Sequence, residues 1–184
     1  MFALQSAPAG TKSERYSELL GQARALLAGE RDRTANAANL AALIFHSLPG
    51  LNWAGFYFMK SGELVLGPFQ GKPACVRIAV GGGVCGTVAR DRNTIVVPDV
   101  HAFPGHIACD LASNSEIVVP ILDSRRSLPS SALIGGGNDN LRRDDTLVGV
   151  LDLDSPLKNR FDADDARALE ALVALFVEST DLGG

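Results

Sequence analysis

Nowhere in the 184 residues does an apolar run approach the ~20 residues that a membrane-spanning helix requires. The start, Met1 to Gly10, lacks a basic segment followed by a long apolar stretch, so it is not read as a secretion signal. These absences lead to the expectation of a cytoplasmic protein with no membrane partner. A basic surplus is missing too, since 17 Lys and Arg stand against 21 Asp and Glu, a formal net charge of -4. Without a broad cationic surface to meet phosphate backbones, nucleic acid is not an expected partner, and the ligand is sought in a pocket.

Cysteine is scarce. There are three, an odd number, in a chain too long to depend on a disulfide framework. Taken singly, each has the bland reading of a small buried hydrophobe. No Cys-x-x-Cys knuckle is present, which ranks a zinc site built from Cys109, His106, His101 and Cys75 or Cys85 below thiol redox chemistry; no metal is expected. Gly81-Gly82-Gly83 lacks the Lys-Ser/Thr that would complete a phosphate-binding loop, so no nucleotide site or other cofactor is inferred from it. Internal repeats are absent.

With 46% hydrophobic and 21% charged residues, the chain can build a sizeable core. Residues 1–184 are read as a single domain in which 1–10 are flexible. Thr11 and Glu14 have the spacing of a capping box, which predicts a helix over 12–28, and a second helical apolar set covers 34–47. Aromatic and β-branched residues from Asn52 to Met59 predict a strand, Lys60-Ser61-Gly62 its turn and Leu64 to Phe69 its hairpin partner. Val76 to Val80, Thr94 to Val97, Ile117 to Leu122 and Leu147 to Leu153 supply up to four more strands, with a short helix at 84–90 and a last helix from about Asp162. The expectation is an α+β fold, a central antiparallel sheet of about six strands flanked by N-terminal and C-terminal helices. Asp123 to Thr146, rich in Ser, Gly, Asn and Arg, is longer than ordinary loops and reads as a long mobile insertion.

The chemistry is sought in the cysteines and acids. Cys85 near a helix start and Cys109 near His106 have the kind of setting that favours a thiolate, and a Cys-His nucleophile for acyl transfer is a second use of the same atoms. Alternation along a strand turns Asp152 and Asp154 to one face, where a solvated strand end and a ligand site are equally good explanations. Trp53 and Tyr57 also share a face, with core packing the default and a ligand cage the alternative.

Read together, several stretches resemble the free methionine-(R)-sulfoxide reductases, a catalytic branch of the GAF domain fold. They include Asn52-Trp53-Ala54-Gly55-Phe56-Tyr57, the run from Leu66 to Cys75, Gly83-Val84-Cys85-Gly86-Thr87, the run from Asp99 to Asp110, Ser115 to Pro120, and Gly149 to Ser155. The resemblance spans about residues 13 to 178, interrupted at Asp123 to Thr146, where relatives have a much shorter turn. It implies that Cys109 is the nucleophile, Cys75 the principal resolving thiol and Cys85 an auxiliary thiol that pairs with Cys75 or relays oxidation. It also implies that Glu116 and Asp154 bind or protonate the sulfoxide, Asp152 helps hold the substrate ammonium, and Trp53 with Tyr57 walls the methyl-sulfur end. The substrate implied is free methionine-R-sulfoxide, the reductant thioredoxin, and the assembly a homodimer because relatives often pair. A sulfoxide is attacked at sulfur only as its oxygen gains a proton, so a carboxyl kept protonated by neighbouring acids suits the general-acid role.

A GAF-type sensor that binds a small ligand without catalysis is the alternative. Its three cysteines would be surplus to that role, and such modules usually sit beside an output domain, for which these 184 residues are expected to leave no room.

Overall fold

The computed structural model describes residues 10–107, 110–126 and 145–183. Two helices come first, α1 at Lys12–Leu27 and α2 at Arg33–Ser47. Strands β1, Trp53–Lys60, and β2, Glu63–Gly71, form a hairpin, followed by the short β3 at Arg77–Ala79. Helix α3, Gly83–Asp91, precedes β4 at Ile95–Val97; β5, Ser115–Asp123, β6, Thr146–Ser155, and α4, Ala163–Ser179, complete the fold. The six strands form one sheet in the order β3-β2-β1-β6-β5-β4, with every neighbouring pair antiparallel. This is the α+β architecture anticipated above.

Local chemistry explains the elements. Thr11 and Glu14 close the predicted capping box on α1, and Asp162 with Asp165 closes another on α4. Helix α2 starts from Asp32, whose carboxylate accepts from the Ala35 amide; Asn36 lies inside the helix, buried, donating to Thr180 Oγ1 at 3.0 Å. The β1–β2 turn is two residues, not three. Ser61 (φ 54°) and Gly62 (φ 86°) take left-handed conformations between the paired Lys60 and Glu63, the backbone that matches the twist of a tight hairpin. The strand expected at 76–80 is shorter. Val76 lies outside β3 with its side chain exposed, its carbonyl accepting from the Leu66 amide at 3.0 Å.

Strand periodicity divides the sheet into two differently used faces. Ala54, Phe56, Ile117, Val119, Ile121, Leu151 and Leu153 point to α1, α2 and α4 and form the larger core. Beneath it, the buried Asp165 carboxylate ties α1 to α4: Tyr16 Oη donates to it at 2.5 Å, Arg160 Nη1 at 3.2 Å, and Lys12 pairs with it as well. The opposite face carries Trp53, Tyr57, Val118 and Val150 and is covered by α3 through Val84, Cys85, Val88 and Ala89. Here helices cover less of the sheet, and here the site forms.

The segment read as an insertion begins and ends on a strand pair, Asp123 opposite Thr146. Residues 127–144 within it, and 1–9 of the segment read as flexible, lie outside the described residues. None of the described helices is long and apolar enough to cross a membrane.

Candidate active site

Three carboxyls meet on the α3 face because of strand register. Glu116 on β5 is paired with Asp154 on β6, Asp152 lies two residues along β6 on the same face, and Trp53 of β1 pairs with Asp154 from the other side. Alternation along β6 placed Asp152 and Asp154 together in the sequence; the β5–β6 register is what adds Glu116. The three acids line a small cavity, partly open to solvent, with Tyr57, Cys85, His106, Asp110 and Ser113. Gly82, Gly83 and Val84, at the amino end of α3, line it too.

Burial governs the protonation of this cluster. Glu116 is pushed well above the usual carboxyl range by loss of water, then by Asp152 and Asp154. Asp152 is raised by burial and Asp154, with a hydrogen bond from the Cys85 thiol opposing the shift. Asp154 is pushed up to about 7, chiefly by burial, while a hydrogen bond from Ser113 acts against the rise. Carboxyls crowded together at a poorly hydrated site cannot all ionise and keep protons near neutral pH. One oxygen of Asp152, Oδ1, is buried and has no hydrogen-bond partner among the described residues, an arrangement that costs free energy until a donor enters.

The amino end of α3 brings the opposite polarity to the cavity lining. Helix α3 begins at Gly82, which offers no side chain to cap its first amides, and Gly83 adopts φ 58° at the turn into the helix. Free N–H groups at a helix start favour an anion. The triple glycine, discounted as a nucleotide cradle, therefore contributes an anion-facing wall to a smaller pocket.

The expected side chains are distributed as follows. Cys75 is disulfide-bonded, whereas Cys85 is a buried free thiol. Cys109 lies outside the described residues. The position of Cys85 at a helix start suggested a thiolate-favouring field; the structure reverses that, because burial and the adjacent Asp152 and Glu116 push its thiol up. Tyr57 lines the cavity and is itself raised by burial and by Asp152. Trp53 is buried behind it, stacked on Tyr57 at 5.9 Å and on Phe69 at 5.3 Å, and is not among the lining residues.

The zinc set does not assemble among the described residues. His101 Nε2 lies 3.1 Å from Asn114 Oδ1, while His106 Nε2 lies 3.7 Å from Glu116 Oε2 and is shifted down by burial, with His101 adding to the effect. Cys85, Glu116 and Asp152 alone present ligand atoms within 4.8 Å of one another, and a metal there would first have to displace their protons.

Two supporting residues escaped the sequence reading. Ser113 accepts from Asn52 Nδ2 at 3.0 Å while its hydroxyl serves Asp154. Asp110 accepts from the Ala112 amide at 3.0 Å, a bond that leads in holding its carboxylate below the usual range, and it also meets Asn52 and Lys72. Their signal was only that Asp110 and Ser113 bracket a tight turn before β5.

Known proteins share the sequence and fold of this chain. The GAF domain model matches residues 15–178. Protein YtsP of Bacillus subtilis is 52% identical over 162 residues, covering 87% of both chains. The free methionine-R-sulfoxide reductase of Escherichia coli is 45% identical over 163 residues, covering 89% of this chain and 87% of that one. A solved structure of free methionine-R-sulfoxide reductase from Neisseria meningitidis, in complex with its substrate, superposes with a TM-score of 0.82 at 40% identity, covering 97% of this chain and 95% of the other. The chain thus belongs to the GAF domain family and, within it, to the free methionine-R-sulfoxide reductases.

Proposed function

We propose that the protein reduces free methionine-R-sulfoxide to methionine at the expense of a dithiol. The observation that carries this reading is the acid cluster of buried Glu116 and Asp152 with half-buried Asp154, one Asp152 oxygen unpartnered among the described residues, lining one cavity with the amino end of α3. A free amino acid is a zwitterion. Its ammonium suits the orphaned Asp152 oxygen and its carboxylate suits the α3 amides, whereas a residue within a peptide chain carries neither charge.

In this reading the Cys109 thiolate attacks the sulfoxide sulfur while Glu116, with Asp154, delivers a proton to the sulfoxide oxygen. The S–O bond breaks, methionine departs reduced by two electrons, and Cys109 retains the oxygen as a sulfenic acid. The thiolate of Cys75 then attacks that sulfur; the hydroxyl leaves with a proton as water and a disulfide forms. An external dithiol of the thioredoxin kind reduces the disulfide by exchange. Sulfoxide and dithiol thereby become thioether, disulfide and water. The disulfide-bonded state of Cys75 supports its place as the resolving thiol. Cys85, buried and held as a neutral thiol, is not the attacking group; its hydrogen bond favours the ionised form of Asp152.

The test is a coupled assay with thioredoxin as reductant, comparing the free R-sulfoxide, its S epimer and the N-acetyl amide of the R form. Capping both ends leaves buried polar groups without partners, so kcat/KM should fall by at least about a hundredfold. Equal turnover of the capped compound would refute a site built for the free amino acid.

A further inference from the structure

Between β2 and β3 the chain runs from Lys72 to Val76 without regular structure, and this segment carries Cys75. A loop without its own ladder owes its position to whatever holds its backbone. Two aromatic side chains of β1 do so. Trp53 Nε1 donates to the Lys72 carbonyl at 3.1 Å, and Tyr57 Oη donates to the Cys75 carbonyl at 3.0 Å. The two rings are stacked on each other, and Phe69 of β2 stacks on Trp53 as well. Both rings are almost fully buried, Trp53 at 3% and Tyr57 at 1% exposure. Gly71, at φ 124°, ends β2 where an added Cβ would lie 2.7 Å from the Trp53 ring, so the loop leaves the strand close against the indole. A further link runs from Lys72 Nζ to Asp110 at 3.3 Å, joining this loop to the residue that follows Cys109 in the chain.

We propose that Tyr57, backed by Trp53, is a positioning residue for Cys75: its hydroxyl fixes the backbone of the resolving cysteine and so sets the rate of disulfide formation rather than the rate of sulfoxide reduction. This role differs from that of a wall for the methyl-sulfur end of the substrate, which any aromatic ring of the same size would provide. Burial and the neighbouring acids keep the phenol protonated, so it remains a donor across the working pH range. The donated bond is to a backbone carbonyl, hence it acts on where the sulfur is held and leaves the charge of the Cys75 thiol alone. Misplacing a reacting group by about 1 Å costs on the order of a hundredfold in rate, and loss of one of several anchors should cost less than that.

The inference rests on the reductase reading, and the variant Tyr57→Phe tests it while keeping the ring. In a single turnover of fully reduced protein, disulfide formation should slow about tenfold relative to methionine release, so that a dimedone-trappable sulfenic acid accumulates. Trp53→Phe, which loses its ring N–H but keeps an aromatic layer, should show the same split. If methionine release slows or KM rises while disulfide formation keeps its rate, Tyr57 acts on substrate and the proposal fails; it fails equally if neither step changes. A second assay does not use the sulfoxide. Fully reduced protein oxidised with diamide should re-form the Cys75 disulfide more slowly in Tyr57→Phe than in the parent, and equal rates would overturn the role even if the substrate reading were wrong.

Discussion

Asp154 shows how one side chain can serve the chemistry and weaken the fold. Its carboxyl titrates near 7 in the folded chain against an ordinary 3.8, because burial disfavours the charge. The folded state therefore binds the proton more tightly than the unfolded state, and this contribution to stability is complete below about pH 4 and lost as pH rises through 7. Asp154→Asn removes the ionisation. Its melting temperature should exceed that of the parent at pH 8, corresponding to a gain on the order of a few kcal/mol, with the difference shrinking towards pH 4 in thermal scans. The same variant removes one of the charges that hold Glu116 protonated, so the alkaline decline of kcat/KM should begin at lower pH than in the parent. Increased stability together with a narrower pH range marks a residue kept for reaction; a variant less stable at pH 8 than at pH 4, relative to the parent, would contradict this.

At the scale of elements, the site depends on how closely α3 sits against the end of β3. Gly86 on α3 has no room for a side chain: an added Cβ would lie 2.3 Å from the Ala79 carbonyl oxygen. Gly86→Ala should push α3 outward, cost about 1–3 kcal/mol in denaturant unfolding and raise KM, since Val84 and Cys85 move with the helix. Much at this scale was readable beforehand. The Thr11 capping box, the β1–β2 turn and the shared face of Asp152 and Asp154 follow from patterns a few residues long. What could not be read is register across distant segments. Strand β1 lies between β2, its neighbour in sequence, and β6, almost a hundred positions away, and nothing local in Glu116 states that it faces Asp154. The setting of Cys85 failed for the same reason: a helix start favours a thiolate, but tertiary burial beside two acids outweighs that local field.

The whole molecule separates stability from reactivity by using the two faces of one sheet. Helices α1, α2 and α4 close the larger apolar core on one side, anchored by the buried Asp165 cluster. On the other side α3 packs on the sheet beside the cavity, leaving partly protonated groups and an Asp152 oxygen with no partner among the described residues where a ligand can relieve them. Composition set the scale of this arrangement, with a large apolar fraction and little net charge, and motif resemblance supplied the family; only the paired faces explain why the acids lie together in one pocket. The most direct measurement is a single turnover of fully reduced protein with free methionine-R-sulfoxide and no added reductant, counting methionine released and thiols lost. The account predicts one methionine and two thiols consumed per chain, with Cys85 still a thiol, and no methionine from Cys109→Ser. Unchanged sulfoxide with every thiol retained would contradict it and leave a binding module in its place.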